Sequence, residues 1–246
     1  MNPRPHLFGL LAGLFLAGGL AGAAAIVAST LTRLNDSNSI NVTGAARRNV
    51  RSDLVIWNAS FSVDAPSLLE AQQRLQTDLA KVTDFLRQHD MTELAIEPVV
   101  IREITTKRKL DDDDENYATV RVGYRLTQGF EVRSANVEGL PKLAANCGPL
   151  IEQGVALVSG GFAFIYTKAG EAKVEMMAEA TKDARARAEL IAGQGGRRVE
   201  GLRNAKAGVV QINPLHSSAT SWEGNNDTTS LEKTIIATVS ASFAMK

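Results

Sequence analysis

The segment from Ala169 to Gly196, AGEAKVEMMAEATKDARARAELIAGQGG, limits what the chain can fold into more than any other. It predicts one long helix, because apolar residues recur at three- and four-residue steps and a glycine-rich stretch then ends the pattern. Since the apolar face is rich in alanine, we expect the helix to lie close against a β-sheet. The predicted inner face consists of Val174, Met177, Thr181, Ala184, Ala188 and Ile191.

The N-terminal stretch from Leu7 to Leu31 contains no charged residue. As a helix it is long enough to cross a bilayer core of roughly 30 Å. It also resembles a secretory signal, because Arg4 precedes it and small residues at 21–25 offer cleavage positions. Both interpretations export the rest of the chain. We favour an uncleaved inner-membrane anchor over residues 7–31, because the apolar run continues past those cleavage positions; a cleaved, soluble periplasmic protein is the alternative.

The chain therefore divides into a signal or anchor segment (1–32), a polar spacer (33–38) and one α+β domain (39–246). Alternating apolar residues predict strands, and longer periodic stretches predict helices. The predicted strands are 39–44, 55–63, 94–106, 117–126, 130–133, 161–166, 198–212 and 233–245, and the predicted helices are 67–89, 136–153 and 169–194.

This order of elements predicts an α+β fold with a mainly antiparallel sheet and about three helices packed on one face. A strand, a long helix and further strands occur in each half of the domain. The repetition suggests two related α/β halves behind the N-terminal hydrophobic helix.

No residue pattern indicates catalysis, a cofactor or a metal. The 27 basic and 27 acidic side chains balance, which argues against a nucleic-acid partner. The single cysteine, Cys147, excludes an intrachain disulfide and is interpreted as a buried residue. The acidic run Asp111–Asp114 lacks the spaced ligands and the glycine of a calcium-binding loop. We therefore predict no catalytic, cofactor-binding or metal-binding residue and no enzymatic activity.

One polar loop, residues 216–230, is the only segment that suggests a site. Its sequence is HSSATSWEGNNDTTS, and Trp222 is its one large apolar residue. We expect Trp222 to pack the loop against the domain; a ligand platform is the alternative.

Three segments resemble the SIMPL-domain family of exported bacterial proteins. They are GYRLTQGFEVRS (123–134), EATKDARARAELIAGQGG (179–196) and LEKTIIATVSASFAMK (231–246). The resemblance covers roughly residues 39–246. It implies an N-terminal signal or anchor followed by one α+β domain, an envelope location, oligomers, a link to stress tolerance and no established enzymatic activity, with no catalytic residues to carry over.

We therefore expect a non-enzymatic envelope protein that acts through protein–protein contacts. Its expected partners are further copies of itself, in a homo-oligomer, and the membrane. The alternative is an extracytoplasmic small-ligand-binding or hydrolytic module that uses the 216–230 loop. A hydrolytic site should bring polar groups together in a cleft, whereas a scaffold should present an extended surface.

Overall fold

The computed structural model describes residues 5–34, 38–109 and 117–246. The spacer residues 35–37 and the acidic run Asp111–Asp114 lie outside the described residues. The elements, in chain order, are α1 Pro5–Leu34, β1 Ser39–Arg51, β2 Leu54–Ala65, α2 Leu68–Gln88, β3 Glu93–Ile96, β4 Val100–Lys109, β5 Tyr117–Ser134, α3 Gly139–Ala145, α4 Gly148–Glu152, β6 Leu157–Ile165, α5 Ala169–Gln194, β7 Val199–Ala207, β8 Gln211–Pro214 and β9 Glu232–Met245.

The predicted fold class is confirmed, because the chain is α+β with antiparallel sheets and an N-terminal apolar helix. It forms two compact units. One comprises Met1–Gly44, Thr181–Ala207 and Val239–Lys246, and the other comprises Ala45–Ala180 and Gly208–Thr238. The elements β1, α5 and β9 contribute residues to both units.

The larger unit is built on a five-stranded sheet in the order β3-β5-β2-β6, with β4 also paired to β5. The strand β2 forms because its apolar residues alternate, so one face is buried and the other is more exposed. Its antiparallel register with β5 runs from Val55↔Ser134 to Ala65↔Tyr124. The pairing with β6 contains a bulge at Asn58/Ala59.

Helix α2 packs on β2 and β5. It begins where predicted, because the Ser67 hydroxyl accepts a hydrogen bond from the Glu70 backbone N–H at 3.2 Å. Leu75, Val82 and Leu86 face a core that contains Trp57, Phe61 and Phe130. The Trp57 and Phe130 rings meet edge to face, with centroids 5.7 Å apart.

The region predicted as one interrupted helix over 136–153 is two short helices, α3 and α4. The Asn136 side-chain oxygen accepts from the Gly139 N–H at 2.8 Å and fixes the first turn. Leu140 and Leu150 place both helices against the core of the larger unit.

The other sheet has the order β1-β9-β7, with β8 also paired to β9. In the smaller unit, Ala205 of β7 pairs with Ala241 of β9. Ala241 and Phe243 pack against Ala184 and Ala188 of α5.

The buried face of α5 agrees only in part with the predicted one. Ala184 and Ala188 are buried, but Val174 and Ile191 are exposed. The buried stripe repeats every fourth residue because alanine lets the helix backbone approach its neighbours closely, and the larger apolar residues are left outside. This stripe consists of Ala172, Met176, Ala180, Ala184, Ala188 and Ala192.

The order of elements repeats, as the suggestion of two related halves requires. The series β2-α2-β3-β4-β5 is followed by β6-α5-β7-β8-β9. In each series the last strand pairs with the two strands before it. The strand β1 lies beside β9 as β2 lies beside β5, while β6 pairs with β2.

Candidate interaction surfaces

The 216–230 loop is held by side chains of the buried strand β8. The Gln211 side-chain oxygen accepts from the backbone N–H groups of Ser221 and Asn225, at 3.1 and 2.8 Å. The Asn213 amide donates to the Ala219 carbonyl at 2.7 Å and its oxygen accepts from the Asn225 amide at 2.9 Å. These bonds give the loop one defined shape.

A buried ion pair closes the same loop. Lys233 Nζ donates to the Asp227 carbonyl oxygen at 2.6 Å and to Asp227 Oδ2 at 3.2 Å, and the two side chains are 1% and 8% exposed. The Thr229 N–H and hydroxyl donate to Asp227 Oδ1. Burial raises the pKa of Asp227, but the hydrogen bonds from Thr229, Ser230 and Lys233 outweigh it and lower the pKa to about 2. The Asp227 carboxylate is therefore ionised and hydrogen-bonded through both oxygens.

A cleft of about 240 Å³ lies beside this pair. Its walls include Phe164, Tyr166, Lys173 and the Asn226–Thr228 segment. Its volume is below the roughly 300–1,000 Å³ that small-molecule sites occupy. Its best-placed charged groups, Asp227 and Lys233, already bind each other.

Trp222 is 85% exposed, so the prediction that it packs the loop down is wrong. The loop does not need an apolar plug, because Gln211 and Asn213 hold its backbone by hydrogen bonds. A large aromatic ring is thus presented to solvent on a fixed loop.

Cys147 and His89, a candidate nucleophile and a candidate base, each bond a backbone carbonyl four residues earlier in their own segment. Cys147 is buried and its thiol donates to the Leu143 carbonyl at 3.6 Å; burial also raises the pKa of this thiol. The His89 ring bonds the Phe85 carbonyl through Nδ1 at 2.8 Å. His216 lies in the 216–230 loop. Within the described ranges, no group of three or more potential metal ligands occurs.

Several exposed apolar side chains lie on a two-stranded ribbon formed by residues 100–109 of β4 and 117–122 of β5. Thr106 pairs with Val120 and Lys109 pairs with Tyr117. Because the register shifts between Ile104 and Thr105, Ile101 and Tyr117 lie on one face of the ribbon and Val100 and Val120 on the other, and all four are exposed. Val122, at the shift, is exposed as well. The strand predicted at 117–126 is present, and of its alternating apolar residues Leu126 is buried whereas Val120 and Val122 are exposed.

Polar contacts give the ribbon its shape. Arg121 Nη1 donates to Glu103 Oε1 at 3.0 Å across the two strands. The Arg121 guanidinium also lies over the Tyr124 ring, 5.0 Å from its centroid. At the base of the ribbon, Arg125 binds both carboxylate oxygens of Asp64, at 2.7 and 2.6 Å. A two-stranded ribbon is marginally stable in water by itself, so a surface that covers its apolar side chains would stabilise it.

Residues 40–243 match the family model described as "SIMPL: Protein of unknown function (DUF541)". The chain belongs to the SIMPL family. The resemblance drawn from the sequence is thereby confirmed. No curated protein matches the chain.

Solved structures similar to this SIMPL protein include an amidase of the hydantoinase/carbamoylase family from Burkholderia phymatum, at 11% identity and a TM-score of 0.30. That match covers 55% of this chain and 35% of the amidase chain. A putative amidohydrolase/peptidase from Burkholderia cenocepacia matches at 12% identity and a TM-score of 0.21, over 62% of this chain and 38% of the other. The chain thus spans little more than a third of each, and TM-scores this low do not establish a shared fold.

The SIMPL domain follows helix α1, in which Gly9–Thr30 has a mean hydropathy of 2.2 and is not buried. Its 22 residues span about 33 Å as a helix, enough for a bilayer core. This helix fits a signal anchor or a signal peptide.

One signal in the sequence marks the end of this ribbon as exposed. The basic run Lys107–Lys109 stands at the end of β4, and exposed hairpins carry such charges because charged groups there remain in water.

Proposed function

We propose that this SIMPL protein is a non-enzymatic envelope protein that associates with copies of itself through its extracytoplasmic surfaces. The exposed apolar side chains of the β4–β5 ribbon carry this proposal. Apolar residues clustered on an exposed element are typical of protein–protein contacts. A role in stress tolerance and specific protein partners beyond a second copy belong to the same proposal.

We further propose that α1 remains uncleaved in the inner membrane and that residues 39–246 lie in the periplasm. Its length supports this, since the apolar segment suffices for a complete crossing. Anchoring would confine all copies to one membrane plane, and confinement raises the effective concentration for association.

The alternative, a ligand-binding or hydrolytic module at the 216–230 loop, is favoured by one observation, the exposed Trp222 on a fixed loop. An exposed aromatic ring also serves protein contacts, in which tryptophan is enriched. The cleft beside the loop is small, and the charged groups in its wall, Asp227 and Lys233, already bind each other. Self-association is therefore the first proposal.

The ribbon provides the test. The double variant Val120→Lys/Val122→Lys replaces two exposed apolar side chains of the ribbon with positive charges. We expect the particle mass of the full chain in detergent to fall, because burying these ammonium groups in a contact is costly.

Gln73→Lys/Gln76→Lys is the matched control, because it adds the same charge at exposed positions of α2. It should leave the mass unchanged. Equal masses for wild type and both double variants would exclude the ribbon as the contact, and a monomeric wild type would contradict self-association itself.

A further inference from the structure

From Ser39 to Thr43, the outer edge of β1 has no neighbouring strand in the described part of the chain. The strand stands at the end of its sheet, with β9 on one side only. At its start, the Met245 N–H donates to the Asn38 carbonyl at 2.8 Å, and further along the Thr43 and Ser240 hydroxyls are 3.2 Å apart. The backbone N–H and C=O groups of successive residues point to opposite edges of a strand. Those of the even-numbered residues therefore bond β9, and those of Ser39, Asn41 and Thr43 point away from β9.

From Ser39 to Thr43 this edge has neither the charge nor the proline that keeps many edge strands from pairing, and the arginines of β1 begin at Arg47. Natural edge strands are kept apart by charge, shortness, bulges or cover. From Ser39 to Ala46 the sequence SINVTGAA contains no charge and no proline.

The edges of the other strands are protected. The outer strand β4 carries Arg102 and the basic run Lys107–Lys109, and β3 and β8 have four residues each. The strand β6 is bulged opposite Asn58/Ala59, and Thr228 of the loop accepts from its Phe164 N–H. The register of β7 shifts twice. The Ser39–Thr43 edge of β1 carries no charge and belongs to a strand of 13 residues.

An apolar cleft runs along this edge. Its volume is about 330 Å³. Leu190 and Ile191 of α5 line it, and their side chains are 68% and 56% exposed. On the side of the sheet that faces α5, Ile40 and Val42 pack against the alanine cluster. The cleft is lined by Asn41, Val42, Thr43, Arg187, Leu190 and Ile191.

We propose that this edge pairs with the same edge of a second copy, antiparallel and centred on Asn41. In this register Asn41 lies opposite Asn41 of the second copy, and Ser39 lies opposite Thr43. Ile40 then meets Val42 across the boundary, a β-branched pair of the kind that stabilises sheets. Both copies contribute Leu190 and Ile191 to cover these pairs.

A second copy is the occupant because the edge is complementary to itself. Because the Ser39–Thr43 segment is uncharged, two copies of it pair without like-charge repulsion. In the antiparallel register, the small polar residues 39, 41 and 43 of one copy lie opposite residues 43, 41 and 39 of the other. A two-fold axis through Asn41 makes the contact isologous, so it closes on two copies. The inference rests on the proposed self-association and names a surface that it uses.

A disulfide tests the register. In a Cys147→Ala background, Asn41→Cys places two thiols on residues whose Cα atoms would lie about 5.5 Å apart, within the range that a disulfide spans. With the full chain in membranes and a mild oxidant, we expect a covalent dimer. Thr43→Cys is the matched control, because its two copies would lie roughly 15 Å apart and should not cross-link.

A proline tests the pairing. Thr43→Pro removes an N–H that points away from β9, so it should spare the fold and weaken association at least about tenfold. Thr43→Val removes the same hydroxyl but keeps the N–H, and should associate as the wild type does.

Three outcomes separate the two proposals. A cross-link at residue 41 but not 43, with the loss confined to the proline variant, supports this edge contact. An assembling chain that gives no cross-link at residue 41, or one that Thr43→Pro does not weaken, overturns the edge contact and leaves self-association standing. A chain that does not assemble overturns both.

Discussion

Replacing Asp227 with asparagine should destabilise the larger unit through the buried Lys233. The two side chains are 8% and 1% exposed, so the ammonium group would lose its counter-charge in a place that water hardly reaches. Removing one partner of a buried ion pair costs about 3–5 kcal/mol. The drop of the Asp227 pKa from 3.8 to about 2 corresponds to about 2 kcal/mol for the ionised carboxylate.

These figures together give a loss of about 2–5 kcal/mol. For a chain of this size, each kcal/mol lowers the melting temperature by about 2–4 °C, so we expect a decrease of about 5–15 °C. Intrinsic fluorescence of the full chain in detergent would report it, because Trp57 is 1% exposed and becomes solvated on unfolding.

Two variants control the interpretation. Asp227→Asn/Lys233→Met removes the unpaired charge and should melt above Asp227→Asn alone. Asp84→Asn removes a carboxylate from an exposed ion pair with Arg87 and should melt like the wild type. If Asp227→Asn melts within about 1 °C of the wild type, the reasoning from this buried pair is refuted.

The pH dependence has a definite sign. The folded pKa of Asp227 lies below its ordinary value, so its contribution to stability is present above about pH 4 and is lost as the pH falls through about 2. The difference in melting temperature between wild type and Asp227→Asn should therefore shrink over that interval. A constant difference down to pH 2 would contradict the assignment.

Two further predictions concern helix packing and the anchor. Ala188→Leu should cost about 1–3 kcal/mol by overpacking against Phe243, whereas Ala186→Leu, on the exposed side of the same helix, should not; equal melting curves would exclude the close packing of α5. Alkaline carbonate should leave the full chain in the membrane with Met1 or Asn2 as its first residue, whereas a released chain that begins near Ile26 would establish a cleaved signal.

The larger unit could be predicted well because its elements carry strong local signals. The alternation of Trp57 and Phe61 identified the buried face of β2, and both are 1% exposed. Ser67 identified the start of α2, because a hydroxyl at that position supplies an acceptor for a free N–H.

Helix α5 and β5 resisted prediction for different physical reasons. A search for apolar residues favours Val174 and Ile191, but close packing selects the smallest side chains and leaves those two exposed. The sequence of β5 alternates throughout, yet only its second half is covered by other elements. An alternating pattern of apolar residues predicts which face of a strand can be buried. Whether that face is buried depends on the other elements that pack against it.

Trp222 shows the same limit in the candidate site. The polar residues that hold its loop, Gln211 and Asn213, precede the loop on β8 and carry no motif. Their role depends on a network of hydrogen bonds between side chains and backbone, and no residue spacing in the sequence predicts such a network.

The mass of the full chain in detergent, measured over a range of concentrations and corrected for bound detergent, would decide whether the chain self-associates. We expect particles that contain two or more 26.3 kDa chains and that dissociate on dilution. A single 26.3 kDa chain at every concentration would contradict it.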